Sequence, residues 1–521
     1  MPSAPTSYDQ IPYRSSPFPQ TRPDRLAAVA KLFGLDAPPA DTARVLELGC
    51  GAGANLIGMA HDYPAGRFVG IDASARQVAD GWADVQALGL KNVELRHLDI
   101  TEAGDLGEFD YVICHGVYSW VPPAVQDRIL DILRRCLVRT GVGYVSYNTY
   151  PGWHVRGIVR DMMRFHGSQF PDPPTRLAQA KALVKFVAES GPAGGTKYTR
   201  LLQDELAHLA GADASYLHHE HLEDLNQPVY FHEFAAKLGA HGLQYLGEAE
   251  FSTMVSTNFA PAVADTLRQL GAHDILQMEQ YMDFVRCRYF RQTLVCNRAV
   301  RLNRVLDGSV VAGLRLASAA APVAADPDLA GTAAVEFQAP GGAGLTVRHP
   351  LTKAALTVLR DRWPAAVPFA DVEAAARGLC ASDETTDFLA GDLLAGMAAG
   401  VIAWRLAPDQ FVTAVGEKPE ASALARHQAA TGGSVTSRRG ELIELDVIHR
   451  RLVRDADGTR THAELVESLA AYLEGEGHVL RRDGDDTPVT DPAEVRRVLG
   501  PAVEKALRNL AGFALLVGPP A

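Results

Sequence analysis

No CxxC pair occurs among the six cysteines of the chain. They stand far apart, at Cys50, Cys114, Cys136, Cys287, Cys296 and Cys380. This spacing argues against a zinc site or a disulfide framework and favours a reducing compartment. The sequence also lacks an apolar run of the roughly 18 residues that a membrane-spanning helix needs, and its polar, Pro-rich beginning does not match a secretion signal. We therefore expect a cytoplasmic protein with no membrane insertion.

Lysine- and arginine-rich runs are missing as well. The chain carries 50 basic and 62 acidic side chains, which gives a formal net charge of −12. This balance disfavours nucleic acid as a partner and is compatible with a cationic substrate such as lysine. With 521 residues, the chain is too long for a single hydrophobic core, so we expect several domains.

The first third of the chain alternates short apolar runs with helical periodicity. This pattern predicts strands at Val45–Leu48, Phe68–Ile71, Val93–His97, Tyr111–Cys114 and Gly143–Asn148. Helices fit between them, for example over Ala75–Leu88 and Val125–Leu137. Strands that alternate with helices are typical of a Rossmann-like α/β fold, with a mostly parallel sheet covered on both faces.

The composition and the hydrophobic periodicity change several times along the rest of the chain. The predicted division is an α/β domain over 1–165, a mainly helical domain over 166–310, a linker over 311–345, a winged-helix-like module over 346–416 and a helical or winged-helix-like module over 417–521. The linker is assigned because that stretch is rich in Ala, Pro and Gly. In the first module, the segment VIAWRL is expected to form a hairpin with Gln410–Val415.

The segment VLELGCGAGANL carries the most specific motif. Glu47 lies in a strand, and Gly49, Gly51 and Gly53 follow in a tight turn that opens a helix. Glycines are needed there because a Cβ would keep the backbone away from a ligand. A carboxylate in front of the turn suits an ammonium group better than a phosphate, which favours S-adenosylmethionine (AdoMet), whose amino-acid tail carries an ammonium.

Other predicted cofactor contacts follow the next strands. Asp72 accepts hydrogen bonds from ribose hydroxyls, Asp99 accepts one from the adenine amino group, and the Ile100 N–H assists. The remaining predicted contacts are Cys50, Ala73, His115, Gly116 and Tyr13. Tyr13 belongs to an N-terminal segment, with Phe18, that is expected to fold over the cofactor as a lid. The alternative, a NAD(P)-binding domain, needs Ala54 in the third glycine position of GxGxxG, and Glu47 and Asp99 favour AdoMet over it.

The ends of the fourth and fifth strands are rich in aromatic residues, in HGVYSWVPP and SYNTYPGWH. Ligands of open α/β sheets bind at such carboxyl ends. We therefore expect Tyr118, Tyr147, Asn148 and His115 to form the catalytic, acceptor-binding side. No metal is expected, because methyl transfer from AdoMet needs none. The histidines of HHEHLEDLNQPVYFHEF are interpreted as capping and partner contacts, with a metal site as the alternative.

Several longer strings resemble one bacterial family. SSPFPQTRPDRLAAVAKLFGL, VLELGCGAGANL, GVYSWVPP and SYNTYPGWH resemble class I AdoMet-dependent methyltransferases that carry a methyltransferase regulatory domain. HHEHLEDLNQPVYFHEF and EQYMDFVRCRYFRQTLVC resemble that regulatory domain itself. The resemblance extends to rickettsial protein-lysine methyltransferases that modify an outer membrane protein. It implies an AdoMet-dependent enzyme that acts on protein lysine side chains and is a homodimer through its middle region.

Three functions remain open at this point. The resemblance and the multi-module chain favour a protein-lysine N-methyltransferase, because additional domains offer surface for a protein substrate. The second is a small-molecule N- or O-methyltransferase. The third is an AdoMet-binding sensor or scaffold, since sensing and catalysis use the same cofactor site.

Overall fold

The computed structural model describes residues 15–192, 195–211, 213–271, 274–477, 481–482, 485–489 and 491–518. Its central element is a seven-stranded sheet in the order β3-β2-β1-β4-β5-β7-β6. The strands are β1 Arg44–Leu48, β2 Arg67–Asp72, β3 Val93–His97, β4 Phe109–Cys114, β5 Leu137–Asn148, β6 Leu243–Glu248 and β7 Phe290–Asn297. The first five are parallel, and β7 runs antiparallel to both of its neighbours. The predicted α/β fold is therefore confirmed.

Helices cover both faces of this sheet. They are α1 Pro23–Leu32, α2 Ala54–Asp62, α3 Ala75–Ala87, α4 Pro123–Cys136 and, further along the chain, Phe231–Ala240. Side chains alternate along each strand, so Val45 and Tyr144 join the core on one face. Leu46 and Val145 join the core on the other. The two faces therefore carry different chemistry at the carboxyl edge, where β1, β4 and β5 end.

The middle of the chain is helical, but not throughout. Its helices are α5 Gly152–Gly167, α6 Pro173–Glu189, α7 Lys197–Ala210, α8 Ala214–Leu222, α9 Phe231–Ala240, α10 Pro261–Leu270 and α11 Ile275–Arg286. The helical prediction missed β6 and β7, which complete the main sheet. Strand β7 was missed because Arg291 interrupts its apolar pattern, although that side chain is fully buried. The predicted boundary at residue 165 therefore does not coincide with the edge of the sheet.

The prediction of a linker over 311–345 is wrong. Four strands occupy this region and its border: β8 Arg315–Ala317, β9 Ala321–Pro322, β10 Val335–Gln338 and β11 Gly344–Val347. In β10, Val335 and Phe337 are buried and alternate with exposed residues. The buried Lys353 ammonium also holds the loop between β9 and β10, donating to the carbonyls of Asp328, Gly331 and Ala333 at 2.7 Å each. Composition alone does not reveal this tertiary anchor.

The first module after this region has three helices and a small antiparallel sheet. Its elements are α12 Pro350–Arg362, β12 Val367–Pro368, α13 Phe369–Leu379, α14 Thr386–Ala398 and β13 Ala403–Arg405. The predicted hairpin is wrong, because β13 and β12 both pair with β8. Residues 410–415 pack instead against the chain end, where the Val412 N–H donates to the Leu516 carbonyl at 3.0 Å.

The C-terminal module has its own apolar core. Its elements are β14 Glu420–Ala421, α15 Ala423–Thr431, β15 Ser434–Thr436, β16 Leu442–Glu444, α16 Val447–Asp455, α17 His462–Gly475, β17 Arg481–Arg482, β18 Asp485–Pro488, α18 Pro492–Gly512 and β19 Leu516–Val517. The module contacts α2, because Arg438 pairs with Asp62. Within the described residues, no helix combines the length and apolar character needed to cross a membrane.

Candidate functional site

The glycine turn after β1 requires its glycines. Gly49, Gly51 and Gly53 have φ angles of +73°, +56° and +74°, in the left-handed region. A Cβ on Gly51 would lie 2.8 Å from the Gln77 side-chain oxygen, and one on Gly49 would lie 2.4 Å from a Val117 methyl. The turn therefore leaves no room for side chains, and its backbone forms the floor of the site.

Glu47 lies directly below this turn and is almost completely buried. Its Oε1 accepts a hydrogen bond from Asn55 Nδ2 at 2.9 Å, whereas its Oε2 is buried without a hydrogen-bond partner. Burial raises the pKa of the Glu47 carboxyl to about 8, the Asn55 hydrogen bond lowers it, and the charge of Asp72 raises it. The nearby Gln77 also has a buried side-chain Nε2 without a hydrogen-bond partner. Unpaired buried polar atoms of this kind point to a polar ligand.

Asp72 ends β2 beside the turn. Its Oδ2 accepts from the Gly51 N–H at 2.8 Å, and its Oδ1 accepts from the Ser74 N–H at 2.8 Å. The carboxylate thus holds the turn in place at the end of β2. Ala73 is exposed next to it. Cys50 is buried, with Sγ packed where a Cβ on Gly70 would stand, so its side chain supports the turn from below.

Asp99 follows β3 and is exposed. Its Oδ1 accepts from the Thr101 N–H at 2.7 Å and from the Thr101 hydroxyl at 2.6 Å. Ile100 packs against the apolar core on the far face of the sheet. Asp99 therefore stands at the carboxyl edge of the sheet, and its Oδ1 accepts hydrogen bonds within its own turn.

His115 and Gly116 follow β4. The His115 Nδ1 lies 2.9 Å from the Tyr144 hydroxyl, and the Gly116 N–H donates to the Ser146 hydroxyl at 2.8 Å. Burial lowers the pKa of His115 to about 4, so its ring is neutral at pH 7. A neutral ring adds no positive charge to a site that must hold a sulfonium.

The N-terminal segment covers the site from residue 15 onward. The Phe18 ring lies 4.0 Å from the His115 ring, and the Phe18 N–H donates to Asn55 Oδ1 at 3.0 Å. The Ser15 hydroxyl accepts from the Ala54 N–H at 3.1 Å. These contacts place the segment where the predicted lid would lie. Tyr13 lies outside the described residues.

Tyr118 and Tyr147 do not face this side of the sheet. Both rings are 1% exposed and belong to the opposite core. They pack on Phe234, and the Tyr147 hydroxyl lies 3.2 Å from the Thr293 hydroxyl. The strand alternation explains the error, because Tyr144 and Ser146 point to the cofactor face and Tyr147 points away from it. This packing contradicts the expectation that either ring touches an acceptor.

Asn148 is buried at the end of β5. Its Nδ2 donates to Asn226 Oδ1 at 3.0 Å, and its N–H donates to the Ser119 hydroxyl at 2.8 Å. The contact joins β5 to the segment between α8 and α9. Asn148 therefore lies at the carboxyl edge of the sheet, with its amide shared with Asn226.

The histidine-rich segment makes mostly internal contacts. His219 Nδ1 lies 2.8 Å from Glu223 Oε1, and His232 Nδ1 lies 2.9 Å from the Gln280 side-chain oxygen. Glu233 accepts from the Tyr230 N–H at 3.0 Å, which caps α9. Ligand atoms of His218, His219 and Glu223 also lie within 4.8 Å of one another, a grouping that could hold a metal ion.

The sequence analysis did not single out several residues that build the site. They are Ser15, Thr21, Asn55, Gln77, Tyr144 and Ser146. Asn55 was detectable in principle, because it lies in the first turn of the helix that opens after Gly53. Tyr144 and Ser146 were detectable from their even spacing on β5, since residues two apart share a face.

The residues of the site fit the amino-acid and ribose parts of AdoMet. The unpaired Glu47 Oε2 is an acceptor for an ammonium, and the unpaired Gln77 Nε2 is a donor for a carboxylate. Asp72 offers carboxylate oxygens beside a glycine backbone that a ligand can approach closely. A dinucleotide pyrophosphate would instead place negative charge next to Glu47, which opposes the NAD(P) alternative.

Three family models match the chain. The "Methyltransferase domain" matches residues 45–141, the "Predicted methyltransferase regulatory domain" matches 213–297, and the "PKMT, C-terminal winged helix domain" matches 417–515. Among curated proteins, the uncharacterized protein RP789 of Rickettsia prowazekii is 34% identical over 98% of this chain and 93% of its own length. RP028 of the same organism is 40% identical over 44% of this chain and 93% of its own length.

A solved structure matches along the whole chain. The complex of PKMT2 from Rickettsia typhi with AdoHcy, the demethylated form of AdoMet, is 31% identical, with a TM-score of 0.88 over 97% of this chain and 100% of that one. This match and the fold establish AdoMet as the cofactor. The chain therefore belongs to the same family as these Rickettsia proteins, the bacterial class I AdoMet-dependent methyltransferases with a methyltransferase regulatory domain.

Proposed function

We propose that the protein is a protein-lysine N-methyltransferase. The observation that carries the proposal is the match to Rickettsia typhi PKMT2 over 97% of this chain, since PKMT abbreviates protein-lysine methyltransferase. The match extends beyond the cofactor domain and includes the C-terminal winged-helix module, which bears the same designation. A shared cofactor domain alone would leave the acceptor open.

The chemistry of the site agrees with an amine acceptor. The bound cofactor supplies an electrophilic methyl group on a sulfonium. The Phe18 and Phe290 rings flank the His115 ring, with their centres 4.0 and 6.2 Å from it. The three rings together form an aromatic wall. Such a wall excludes water and attracts a cationic lysine side chain by cation–π interactions.

The residues of this chain then position the amine rather than activate it strongly. A lysine must lose its proton before its nitrogen can attack the methyl carbon. The neutral His115, held by Tyr144, does not oppose this loss, and the exposed Gly116 leaves a path for the proton to water. The N–C bond forms as the C–S bond breaks, and the methylated ammonium can release its proton along the same path. Positioning of this kind supplies most of the rate.

Asn148 and Asn226 border the acceptor in this proposal. Their side chains form a hydrogen bond of 3.0 Å where β5 ends, one residue after the buried Tyr147. An amide oxygen at this place can accept a hydrogen bond from the lysine nitrogen without carrying charge.

We further propose a cytoplasmic homodimer that associates through its middle region and has a protein as its partner.

Tritiated AdoMet distinguishes this function from the alternatives. Purified protein is incubated with lysate of the host cells, and labelled bands are hydrolysed for amino-acid analysis. We expect methyl-lysine in discrete protein bands, and strongly reduced labelling of the same bands with the Asp72→Asn variant. Label confined to small molecules would instead indicate a metabolite methyltransferase. Tight AdoMet binding without any transfer would indicate a sensor or scaffold.

A further inference from the structure

An exposed group of aromatic rings lies beyond the end of β5. It consists of Tyr150, His154, Tyr230, His232, Phe284 and Tyr289, called here the aromatic strip. Tyr150 stacks on His154 with ring centres 4.1 Å apart at 17°. Tyr230 lies 5.2 Å from Tyr150 and 6.0 Å from Phe284. These ring contacts join Tyr150, His154, Tyr230 and Phe284 into one surface. Tyr289 adjoins it through its backbone, which accepts from the N–H of the residue before Tyr150.

The strip begins at the methyl-transfer site. The Thr149 N–H donates to the Tyr289 carbonyl at 2.9 Å, and Phe290 follows directly, with its ring 6.2 Å from His115. Asn148 pairs with Phe290 across β5 and β7, so both lie at the same carboxyl edge as the glycine turn. The wall around His115 thus continues into the strip.

The strip remains open to solvent. Phe284 is 48% exposed and Tyr289 is 45% exposed, and His154 and His232 are exposed as well. Two of its large apolar rings are therefore left at the surface beside the site. Contiguous surfaces of this kind mark interaction sites in soluble proteins.

A cation of the chain already contacts one ring of the strip. The Arg156 guanidinium lies 3.7 Å from the centre of the Tyr289 ring, which shows that a cation occupies one face of the strip within the chain itself. At the α11 end, Arg286 is engaged with the Phe259 ring and Arg288 pairs with Glu248 at 2.9 Å. The ion pair offsets the charge of Arg288, whereas the contact with Phe259 leaves the charge of Arg286 in place.

An exposed carboxylate adds to this preference. Glu233 caps α9 next to Tyr230. Burial raises the pKa of the Tyr150 phenol, and the neighbouring Tyr230 and Glu233 raise it further. Glu233 therefore lies close enough to act on Tyr150 and on any cation stacked over it. The formal charge of −12 on the whole chain has the same sign.

We propose that the aromatic strip binds the polypeptide segment that flanks the acceptor lysine, and that it selects a second lysine or arginine in that segment. This inference rests on the proposed function. It goes beyond that function because it assigns a sequence preference to a surface outside the transfer site. The occupant is an extended, basic segment of the substrate protein.

Capped nonapeptides test the preference. They share one acceptor lysine and carry lysine, glutamine or glutamate three residues away. We expect the second lysine to lower KM about 3-fold relative to glutamine, since one cation–π contact at an exposed site is worth about that much. Glutamate should raise KM. The Phe284→Ala/His154→Ala double variant should bring the lysine and glutamine peptides to the same KM, with an unchanged Kd for AdoMet.

Phe186→Ala is the matched control, because Phe186 is 67% exposed on α6 and lies outside the strip. It should retain the preference for the second lysine. If the wild type methylates all three peptides equally, or if the double variant keeps the preference, the strip does not select the substrate. If the wild type methylates no peptide or protein, the proposed function fails, and protection of Cys287 by the peptides then decides whether the strip binds them.

A binding measurement tests whether the strip binds the lysine peptide. It depends neither on turnover nor on whether the double variant folds. Cys287 is an exposed thiol two residues from Tyr289, and of the remaining cysteines all are buried except Cys380, which is half-buried. In a Cys380→Ser background, the lysine peptide should slow alkylation of Cys287 more than the glutamine peptide does. Equal alkylation rates would overturn the proposal. Protection that grows with protein concentration alone would assign the surface to a second copy of the chain and overturn it too.

Discussion

Asn55 Nδ2 donates to Glu47 Oε1 at 2.9 Å, and this bond leaves Glu47 Oε2 as the buried oxygen without a hydrogen-bond partner. Asn55 is itself held by Thr21 and by the Phe18 N–H. The N-terminal segment therefore orients the Glu47 carboxylate, which we propose as the partner of the AdoMet ammonium. This relationship links the covering segment to cofactor binding through one buried amide.

The first prediction concerns the pH dependence of AdoMet binding. Burial raises the pKa of Glu47 to about 8, so the carboxyl is mostly protonated at pH 7 before the ligand binds. An ammonium favours the carboxylate, so binding releases a proton. The affinity for AdoMet should therefore rise by up to tenfold per pH unit between about pH 6 and pH 8, and then level off. Calorimetry in buffers with different ionisation enthalpies measures the released proton.

Glu47→Gln is the control for this effect, since glutamine keeps the Asn55 contact and does not titrate. Any pH dependence that belongs to the ligand itself remains in this variant. The difference between the two slopes is therefore the contribution of Glu47. An identical slope in both proteins would show that Glu47 does not bind the ammonium.

The second prediction is a loss of affinity in Asp72→Asn. The carboxylate accepts from the Gly51 and Ser74 N–H groups at 2.8 Å each. Asparagine offers one acceptor oxygen and turns its NH2 towards an N–H, which loses one charge-assisted hydrogen bond. We expect the Kd for AdoMet to rise by about 10- to 100-fold. Asp80→Asn, an exposed change on α3, should leave the Kd unchanged when both are measured by calorimetry.

The third prediction separates two buried tyrosines on β5. Tyr144 holds His115 at 2.9 Å on the cofactor face, and Tyr147 meets Thr293 at 3.2 Å on the opposite face. Tyr144→Phe should lower kcat about 10-fold while the Kd for AdoMet stays within about 2-fold, because a free His115 ring loses its orientation. Tyr147→Phe loses a comparable hydrogen bond but should change only the unfolding midpoint. A fall in kcat in Tyr147→Phe alone would restore the sequence-based assignment.

The cofactor side could be predicted from sequence because its signals are local. A strand, a glycine turn and a carboxylate at each strand end occur in a fixed order, and Glu47, Asp72 and Asp99 all stand at the same edge in the structure. The acceptor side could not, because a choice between Tyr144 and Tyr147 depends on which face of β5 meets which helix. A shift of one residue along the strand moves a side chain to the opposite face, which reverses that choice.

The later part of the chain shows the same limit. The strand β7 contains Arg291, and the segment around Phe337 is rich in Ala, Pro and Gly. Both are ordered by partners far away in sequence, namely the carboxylates around Arg291 and the Lys353 ammonium. Composition and periodicity describe a segment by itself and carry no information about such distant partners.

The fourth prediction addresses the fully buried Arg291. Its guanidinium contacts Asp283 and Glu248 at 2.8 Å and Glu279 at 3.0 Å, which joins α11 to β6 and β7. Arg291→Met leaves these carboxylates without their main cation and should cost about 3–5 kcal/mol in the free energy of unfolding. Urea denaturation measures the loss, with the exposed Arg497→Met as control.

The pH dependence of this loss has a definite sign. In Arg291→Met, the folded protein raises the pKa of the three carboxyls above their unfolded values, since burial is no longer offset by the guanidinium. The penalty is therefore largest at pH 8 and shrinks as the pH falls towards 5 and protons bind. A penalty that is equal at both values would mean that the loss comes from packing and not from charge.

The fifth prediction concerns the contact between the C-terminal module and the cofactor domain. Asp62 ends α2, the helix that begins at the glycine turn, and it pairs with Arg22 at 2.8 Å and with Arg438 of the C-terminal module. Burial raises the pKa of Asp62, but Arg22, His61 and Arg438 lower it by more. Arg438→Ala should cost about 2 kcal/mol, because a buried carboxylate loses a charge-assisted partner. Differential scanning fluorimetry measures the change.

This contribution should also depend on pH in a definite direction. Because the folded pKa of Asp62 is lowered, the stabilisation by Arg438 is present above the unfolded pKa of about 4 and is lost as the pH falls through the folded value. Hydrogen exchange should show faster opening of α2 and α15 in Arg438→Ala at pH 7, with α17 unchanged. Arg497→Ala, on the same module and paired with Glu494 within α18, serves as the matched control. Unchanged exchange in α2 would mean that the C-terminal module does not restrain the helix that carries the cofactor turn.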